Sequence, residues 1–314
     1  MHTITFLHVT SYFGNVIYFF GEVYIQLLRA AGTLVGLAVG DAFGAPLEGM
    51  PAPLKKVRDM EYSYQRGRKP GVFTDDTAQA LAVARSLARC RGYFPEDMMV
   101  ELVTAYRFDP EVYGPTSRQV FDLVLLGMDP REAAVAAHAM NGRSRSNGSV
   151  MRGAPIGVFY AGRMVEECSR ACSRLTHYDP VAGACSAFVN RMVSDLCRER
   201  GKEEAYLRAL SLCRDEEVFA LLSEYRHYDP VPGLDCLLAT HAALTVFLEN
   251  DTFEETLVSA VNLGGDADTV GAIAGALAGS WYGPMAIPKR WLAGLHGLSH
   301  VTSVAWDLWN AAKE

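Results

Sequence analysis

The stretch NLGGDADTVGAIAGALAGSWYG, residues 262–283, joins an acidic turn to a segment built largely of small residues. A helix made of so much Gly and Ala has little side-chain bulk, so its backbone can approach a neighbouring helix closely. Two adjacent glycines, Gly264 and Gly265, supply the free backbone dihedrals of a turn before this helix. The stretch therefore predicts a buried helix with Asp266 and Asp268 at its buried end.

The rest of the chain shows helical periodicity as well. Apolar residues recur at helical spacing, Ala, Leu, Met, Glu and Arg dominate, and alternating β-branched runs are nearly absent. No linker rich in Pro, Gly and Ser divides the chain. We therefore predict an all-α fold, a compact single-domain orthogonal helical bundle over residues 29–314. The expected helices are Leu34–Phe43, Ala78–Arg89, Pro95–Phe108, Ser117–Leu126, Pro130–Met140, Val165–Leu175, Val181–Glu199, Glu203–Arg214, Glu216–Glu224, Leu234–Glu249, Thr252–Leu263, Thr269–Tyr282 and Ser303–Ala312.

Composition excludes several classes of protein. The chain has 314 residues, half of them apolar, which indicates a packed globular protein. Its formal net charge of -7 argues against general nucleic-acid binding. Its seven cysteines are odd in number and scattered, which favours reduced thiols in the cytoplasm. Cys168, Cys172 and His177 could be read as zinc ligands, but no fourth ligand lies at a usual spacing.

Residues 1–28 form an atypical N-terminal extension. They are apolar and aromatic, but His8, Asn15 and Glu22 interrupt the apolar run. A signal peptide needs a basic start, a continuous apolar stretch and a cleavage site, and a membrane span needs roughly 20 apolar residues in a row. We therefore expect an additional docking segment or an extension upstream of the native start, and no membrane anchor.

The first acidic cluster is TDDT, Thr74–Thr77, which stands before a strongly apolar helix. Thr and Asp are common N-caps, so one of the four could serve that structural role alone. Four in a row exceed what a cap requires, and adjacent carboxylates repel each other unless a cation lies between them. The cluster is therefore a candidate metal site.

The second cluster is DADT, Asp266–Thr269. On a regular helix Asp266 and Asp268 would diverge by about 200°, so they have to lie in the turn before the helix in order to converge. The two clusters offer four carboxylates and several hydroxyls, with no Cys or His close by in sequence. Such oxygen ligands favour Mg²⁺, Mn²⁺ or Ca²⁺, and four carboxylates in one pocket favour two ions. That the clusters meet in space is an assumption at this stage.

The motifs as a set resemble the ADP-ribosylglycohydrolase family, closest to the dinitrogenase reductase-activating glycohydrolase branch. The resemblance runs in family order from about Gly32 to Gly283, and the last motif is the most diagnostic. The matching motifs are GLAVGDAFGAPLE at 36–48, FTDDT at 73–77, SNGSVMRGAPIG at 146–157, THYDP at 176–180 and the stretch at 262–283.

The resemblance implies a compact all-α fold around two Mg²⁺ or Mn²⁺ ions. Glu48 matches a family glutamate that contacts the metal centre and is associated with opening and closing of the substrate cleft. Asp76 and Glu48 are the candidates for catalytic proton transfer. The metal ligands carried over by motif are Thr74, Asp75, Asp76, Asp266, Asp268 and Thr269.

The loop RSRSNGSVMR can present backbone N–H groups to a phosphate, although a turn with an N-cap explains it equally well. In the family the equivalent stretch lines the ADP-ribose pocket. We therefore assign Asn147, Gly148, Ser149 and Arg152 to substrate binding. His177 is expected to reach the same pocket.

The resulting hypothesis is a metal-dependent hydrolase that cleaves the glycosidic bond between ADP-ribose and a modified target, acting as a monomer. An ADP-ribosylated protein or a small ADP-ribose conjugate is the expected partner, with ADP-ribosyl-arginine favoured over serine, O-acetyl or nucleic-acid linkages. Some relatives carry a further acid in the loop corresponding to Asp109–Arg118, and DPEVYGPTSR does not show which residue matches. The alternatives are a hydrolase of another ADP-ribose or nucleotide derivative, and a catalytically degenerate, crystallin-like binding protein.

Overall fold

The computed structural model describes residues 5–64 and 67–312, and for residues 5–23 it describes the course of a helix but not its side chains. The docking role expected for residues 1–28 therefore falls largely outside the described residues. The helices are α1 Thr5–Gly44, α2 Asp75–Cys90, α3 Pro95–Phe108, α4 Pro115–Leu125, α5 Pro130–Asn141, α6 Ala154–Phe159, α7 Arg163–Ser173, α8 Pro180–Cys197, α9 Lys202–Leu212, α10 Glu216–Ser223, α11 Cys236–Glu249, α12 Phe253–Val261, α13 Ala267–Tyr282, α14 Lys289–Gly294 and α15 Leu298–Ala311.

The all-α prediction is confirmed: the described part of the chain contains helices, turns and isolated bridges, and no strand. Two helix starts differ from the expected ones in a way that matters for function. Helix α2 begins at Asp75 and helix α13 at Ala267, each earlier than expected. Asp75, Asp76 and Asp268 therefore lie in first helical turns, where the unpaired N–H groups and the helix dipole favour negative charge, and Asp266 is the N-cap of α13. The expectation that both Asp266 and Asp268 precede the helix is thus wrong for Asp268, because the helix begins one residue before it.

Helices α1 and α13 form the centre of the fold, and they pack antiparallel with almost no space between their backbones. Glycines recur every fourth residue on the facing sides of both helices, so the two backbones touch directly. A Cβ atom added at Gly36 would lie 2.3 Å from the carbonyl oxygen of Gly275, and one added at Gly40 would lie 2.0 Å from that of Gly271. The expectation that the Gly/Ala helix packs closely inside the protein is therefore confirmed.

Other helices cover α13 and the C-terminal part of α1. Helices α8, α11 and α12 pack on α13, while α2 and α15 pack on α1. Within the described residues, Tyr24–Leu47 is long and apolar enough to cross a membrane, but 89% of its apolar window is buried inside the protein. A core helix explains that stretch. All seven cysteines are free.

Candidate metal centre

The two acidic clusters meet at one cavity of about 270 Å³. The N-terminal turns of α2 and α13 face each other across it, and Glu48 lies beside them. A larger cleft of about 610 Å³ lies elsewhere, beside Lys202 and Tyr225. The smaller cavity is the candidate site because it brings five carboxylates from the two clusters and from Glu48 onto one surface. Those carboxylates belong to Glu48, Asp75, Asp76, Asp266 and Asp268.

The first turn of α2 is held in place from α1 by Asp41. This fully buried carboxylate accepts hydrogen bonds from the backbone N–H of Thr74 at 2.8 Å and of Thr77 at 2.9 Å. It also accepts from both threonine hydroxyls, at 2.8 Å for Thr74 and 2.6 Å for Thr77. Asp41 thus caps α2 from another helix, so the side chains of Asp75 and Asp76 are not needed as caps.

The turn before α13 positions Asp266 and Glu48 together. Gly264 and Gly265 have φ of +73° and +59°, the left-handed values that glycine adopts without strain, as the sequence predicted. The N–H of Gly49 donates to the Gly265 carbonyl and the N–H of Gly265 donates to the Met50 carbonyl, both at 2.7 Å. This short bridge fixes the chain after Glu48 next to the acidic end of α13.

The donor set fits a hard divalent cation. Oxygen atoms of Glu48, Asp266 and Asp268 all lie within 4.8 Å of one another. Across the cavity, Asp76 Oδ1 is buried and has no hydrogen-bond partner among the described residues. An orphaned buried carboxylate oxygen is costly unless a cation or ordered water contacts it. Carboxylate oxygens at this density are the ligands that Mg²⁺, Mn²⁺ and Ca²⁺ prefer.

The electrostatics of the cluster favour the same conclusion. Burial, followed by repulsion from neighbouring carboxylates, raises the pKa of Asp75, Asp76 and Asp268 well above the ordinary value of 3.8. Burial also raises the pKa of Asp266, although a hydrogen bond from Asn147 opposes that rise. Ionised together, these groups repel one another, and a bound cation would stabilise the ionised forms.

Three of the expected substrate-binding residues line the cavity: Asn147, Gly148 and His177. The side-chain amide of Asn147 donates to Asp266 and, at 3.2 Å, to the Gly233 carbonyl, which ties the loop to the acidic cluster. At Gly148 a Cβ atom would lie 2.9 Å from His177 Cε1, so only glycine lets the loop approach this closely. Thr269, an expected metal ligand, also lines the cavity.

Three other expected site residues do not line this cavity. Thr74 borders a neighbouring, more apolar groove, and its hydroxyl donates to Asp41. Ser149 is buried and its hydroxyl accepts from Ser173. Arg152 is fully buried and is bound to protein groups only. Direct contacts of Ser149 and Arg152 with a substrate therefore find no support in this geometry, and for Thr74 ligation stays a prediction.

Sequence reasoning missed several residues of the site. Asp41 was part of the quoted motif GLAVGDAFGAPLE, but nothing in the sequence paired it with Thr74 and Thr77. In the loop where no acid could be aligned, Glu111 lines the cavity, whereas Asp109 forms an ion pair with Arg68. Only the structure distinguishes Glu111 from Asp109, because the two acids are two positions apart in the sequence and their side chains have different neighbours.

Comparison with known proteins assigns residues 24–314 to the family described as ADP-ribosylglycohydrolase. The chain is 34% identical over 282 residues to an ADP-ribosyl-[dinitrogen reductase] glycohydrolase of Rhodospirillum rubrum, which covers 85% of this chain and 90% of that protein. It is 28% identical to an ADP-ribosylarginine hydrolase of Serratia proteamaculans, over 92% of this chain and 81% of that protein.

A solved structure titled "ADP-ribosylglycohydrolase-related protein complex" shares the fold. It superposes with a TM-score of 0.81 and 32% sequence identity, covering 91% of this chain and 99% of that chain. The agreement extends over nearly the whole of both chains.

Proposed function

The chain belongs to the ADP-ribosylglycohydrolase family, and we propose that it is a metal-dependent hydrolase that releases ADP-ribose from modified arginine side chains of proteins. Hydrolysis of an ADP-ribose conjugate is the activity that its relatives share by name. The preference for arginine draws on the relative from Serratia proteamaculans, which is named for that linkage.

One observation carries the proposal. Two acidic helix N-termini, almost 200 residues apart in sequence, converge with Glu48 on one cavity that also contains Asn147, Gly148 and His177. Burying carboxylates next to one another costs free energy, and a fold that needed only helix caps would not gather them. The arrangement supports a site built for cations and an attached substrate.

We propose that two Mg²⁺ or Mn²⁺ ions occupy the cavity, because five neighbouring carboxylates exceed what one divalent charge balances. Asp75, Asp76, Asp266, Asp268 and Thr269 would hold them, with Glu48 beside them. When bound, such ions supply Lewis acidity and orient the substrate.

The chain's own residues then have distinct tasks. The carboxylate-rich wall stabilises the positive charge that develops at the anomeric carbon as the glycosidic bond lengthens. Asp76 and Glu48 are the candidates to accept the proton of the attacking water, since both carboxylates face the cavity. Gly148 lets His177 pack directly against the loop, and both line the side of the cavity that would take the ADP-ribose. Asn147 keeps Asp266 oriented through its amide hydrogen bond.

The proposal is tested by incubating the purified protein with an ADP-ribosyl-arginine protein, with and without Mg²⁺ or Mn²⁺, and detecting free ADP-ribose. Release that requires the metal is the expected result. Parallel reactions with ADP-ribosyl-serine and with nucleotide phosphoesters separate the linkages. Turnover of the phosphoesters alone would assign the site to a different hydrolase, and failure to retain metal would favour a binding protein.

Metal removal should destabilise the protein, and more strongly as the pH rises. The raised pKa values of Asp75, Asp76 and Asp268 mean that the metal-free folded state binds more protons than the unfolded state. In the metal-free protein, the contribution of these neutral carboxyls to the free energy of unfolding is fully present below the ordinary pKa near 3.8. It is lost as the pH rises through the raised pKa values. The metal-loaded protein uses the ionised forms, so its stability follows the opposite trend.

The measurement is the melting temperature with EDTA and with Mn²⁺ across the range from acid to neutral pH. At a hundredfold excess over Kd, metal should add about 2.7 kcal/mol to the free energy of unfolding at neutral pH. A monovalent salt at matched ionic strength is the control. Equal melting curves at every pH would rule out a buried cation site.

The expected cytoplasmic location and monomeric state stay predictions. The seven free cysteines support a reducing compartment.

A further inference from the structure

Arg152 is a fully buried arginine that forms no ion pair with any carboxylate in the described part of the chain. Its Nη1 donates to the side-chain carbonyl Oε1 of Gln79 at 2.8 Å, and its Nη2 donates to the Cys172 carbonyl at 3.0 Å and to the Thr176 hydroxyl at 2.8 Å. A buried guanidinium without a direct counter-ion is costly, and replacing it by an apolar side chain would often be cheaper. Packing alone therefore does not explain why an arginine occupies this position.

One series of hydrogen bonds, from Arg152 Nη1 through Gln79 to Asp75, reaches the acidic cluster, and we call it the arm to Asp75. A guanidinium is a donor only, so the group of Gln79 that faces it must be the carbonyl oxygen Oε1. The amide nitrogen Nε2 of Gln79 must then point the other way, where it donates to Asp75 Oδ2 at 2.9 Å. Without Arg152 the amide could flip and present its oxygen to a carboxylate. Arg152 thus fixes the orientation of the group that holds Asp75.

A second series, from Arg152 Nη2 through Thr176 to His177, reaches the side of the cavity that would take the substrate, and we call it the substrate arm. Because Thr176 Oγ1 accepts from Arg152, its own proton is free to donate to His177 Nδ1, 2.7 Å away. The proton of the neutral imidazole then lies on Nε2, which donates to Ser146 Oγ at 2.8 Å. Ser146 in turn donates to Thr116 Oγ1 at 3.0 Å. With the proton on Nε2, every hydrogen bond in this series runs in one direction, away from the arginine.

Burial, with the charge of Arg152 as a second cause, keeps the imidazole of His177 neutral. Burial, and after it the nearby guanidinium, lowers the pKa of His177 to about 3. The imidazole that lines the cavity is therefore neutral, and the hydrogen bonds with Thr176 and Ser146 decide which nitrogen carries its proton.

We propose that Arg152 is a positioning residue for two sides of the site. It fixes the orientation of the Gln79 amide that donates to Asp75, and it determines which tautomer His177 adopts. A permanently charged donor at the centre determines the direction of each hydrogen bond on either side. The family resemblance placed Arg152 among the substrate-binding residues, and this geometry gives it an indirect part in the same site.

The first test reads the tautomer directly. Protein with ¹⁵N-labelled histidine is examined by long-range ¹H–¹⁵N NMR, and the His177 signals are assigned by their loss in His177→Asn. The unmodified protein should show a protonated Nε2 and an unprotonated Nδ1. Thr176→Val and Arg152→Met should shift His177 towards the other tautomer or a mixture, whereas Thr176→Ser should keep the original pattern.

A matched control separates positioning from stability. Arg198 is another largely buried arginine, and it donates to the carbonyls of Gly157 and Ser194, away from the cavity. Arg198→Met should lower the melting temperature without changing the His177 signals. If Arg152→Met behaves in the same way, with the tautomer unchanged, Arg152 is merely structural and the proposal is overturned.

The second test is kinetic and rests on the proposed hydrolase function. Thr176→Val breaks only the substrate arm and should raise KM, while Gln79→Leu breaks only the arm to Asp75 and should lower kcat. Arg152→Met should do both, with a loss in kcat/KM of about a hundredfold, the scale of a 1 Å misplacement in an active site. Equal kinetics in folded Arg152→Met would contradict the proposal. If the unmodified protein releases no ADP-ribose, the proposed function fails, and the NMR result still decides the role of Arg152.

Discussion

Asp268→Asn is expected to abolish the release of ADP-ribose while the fold is retained. Asp268 lies in the first turn of α13, is 3% exposed and accepts a hydrogen bond from the Thr269 N–H at 3.0 Å through Oδ1. Asparagine keeps the shape and that acceptor, but it removes a charge that the proposed cations require. The loss in kcat/KM should be about a hundredfold or more, as for other preorganised electrostatic groups.

The same variant should be more stable than the unmodified protein once metal is removed. Burial and repulsion from Asp76, Asp266 and Glu48 raise the pKa of Asp268, so its ionised form destabilises the metal-free fold at neutral pH. An amide does not ionise, so the penalty disappears. With saturating Mn²⁺ the order should reverse, because the variant lacks a ligand.

Thermal unfolding with EDTA and with Mn²⁺ checks this reversal, alongside the assay for free ADP-ribose. Asp307→Asn, an exposed change on α15, is the matched control and should alter neither property. An active Asp268→Asn protein that retains its metal would mean that the site is misassigned. A metal-free variant that is less stable than the unmodified protein would mean that the carboxylates do not repel one another as described.

Local features of this fold were readable from the sequence because local chemistry determines them. The Gly264–Gly265 turn follows from the need for positive φ, and the packing of α13 follows from its small side chains. Most helices lie where apolar periodicity placed them. Even the missed helix starts at Asp75 and Ala267 were displaced by only two or three residues, because Asp and Thr suit both a cap and a first turn.

Features that depend on contacts between distant segments could not be predicted from the sequence. Asp41 holds Thr74 and Thr77 from another helix, and one sequence contains no signal for that pairing. Arg152 follows the SNGSVM stretch directly, which suggested a shared role, yet its side chain points into the core instead of the cavity. Proximity in sequence determines where a backbone passes, and the direction of a side chain is set by the helices packed around it.

The helix pair that carries the site gives the second large effect: Gly275→Ala should destabilise the protein by about 3 kcal/mol or more, the upper range for overpacking a core. The added Cβ would lie 2.1 Å from the carbonyl oxygen of Gly36, and backbone cannot move aside as a flexible side chain does. Helices α1 and α13 would have to separate, and with them Asp41 and Asp268. Activity should therefore fall even in the fraction that remains folded.

Gly183→Ala is the matched control, because Gly183 is also a buried glycine inside a helix, α8. Its added Cβ would lie 3.7 Å from the nearest atoms, Cα and Cγ of Arg170, an ordinary van der Waals contact. Removing glycine's backbone entropy there should stabilise the protein by about 0.5–1 kcal/mol. Chemical denaturation of both variants measures the two opposite signs. Similar values for both would show that direct contact between backbones does not hold α1 against α13, and that the acidic clusters are brought together by the surrounding helices instead.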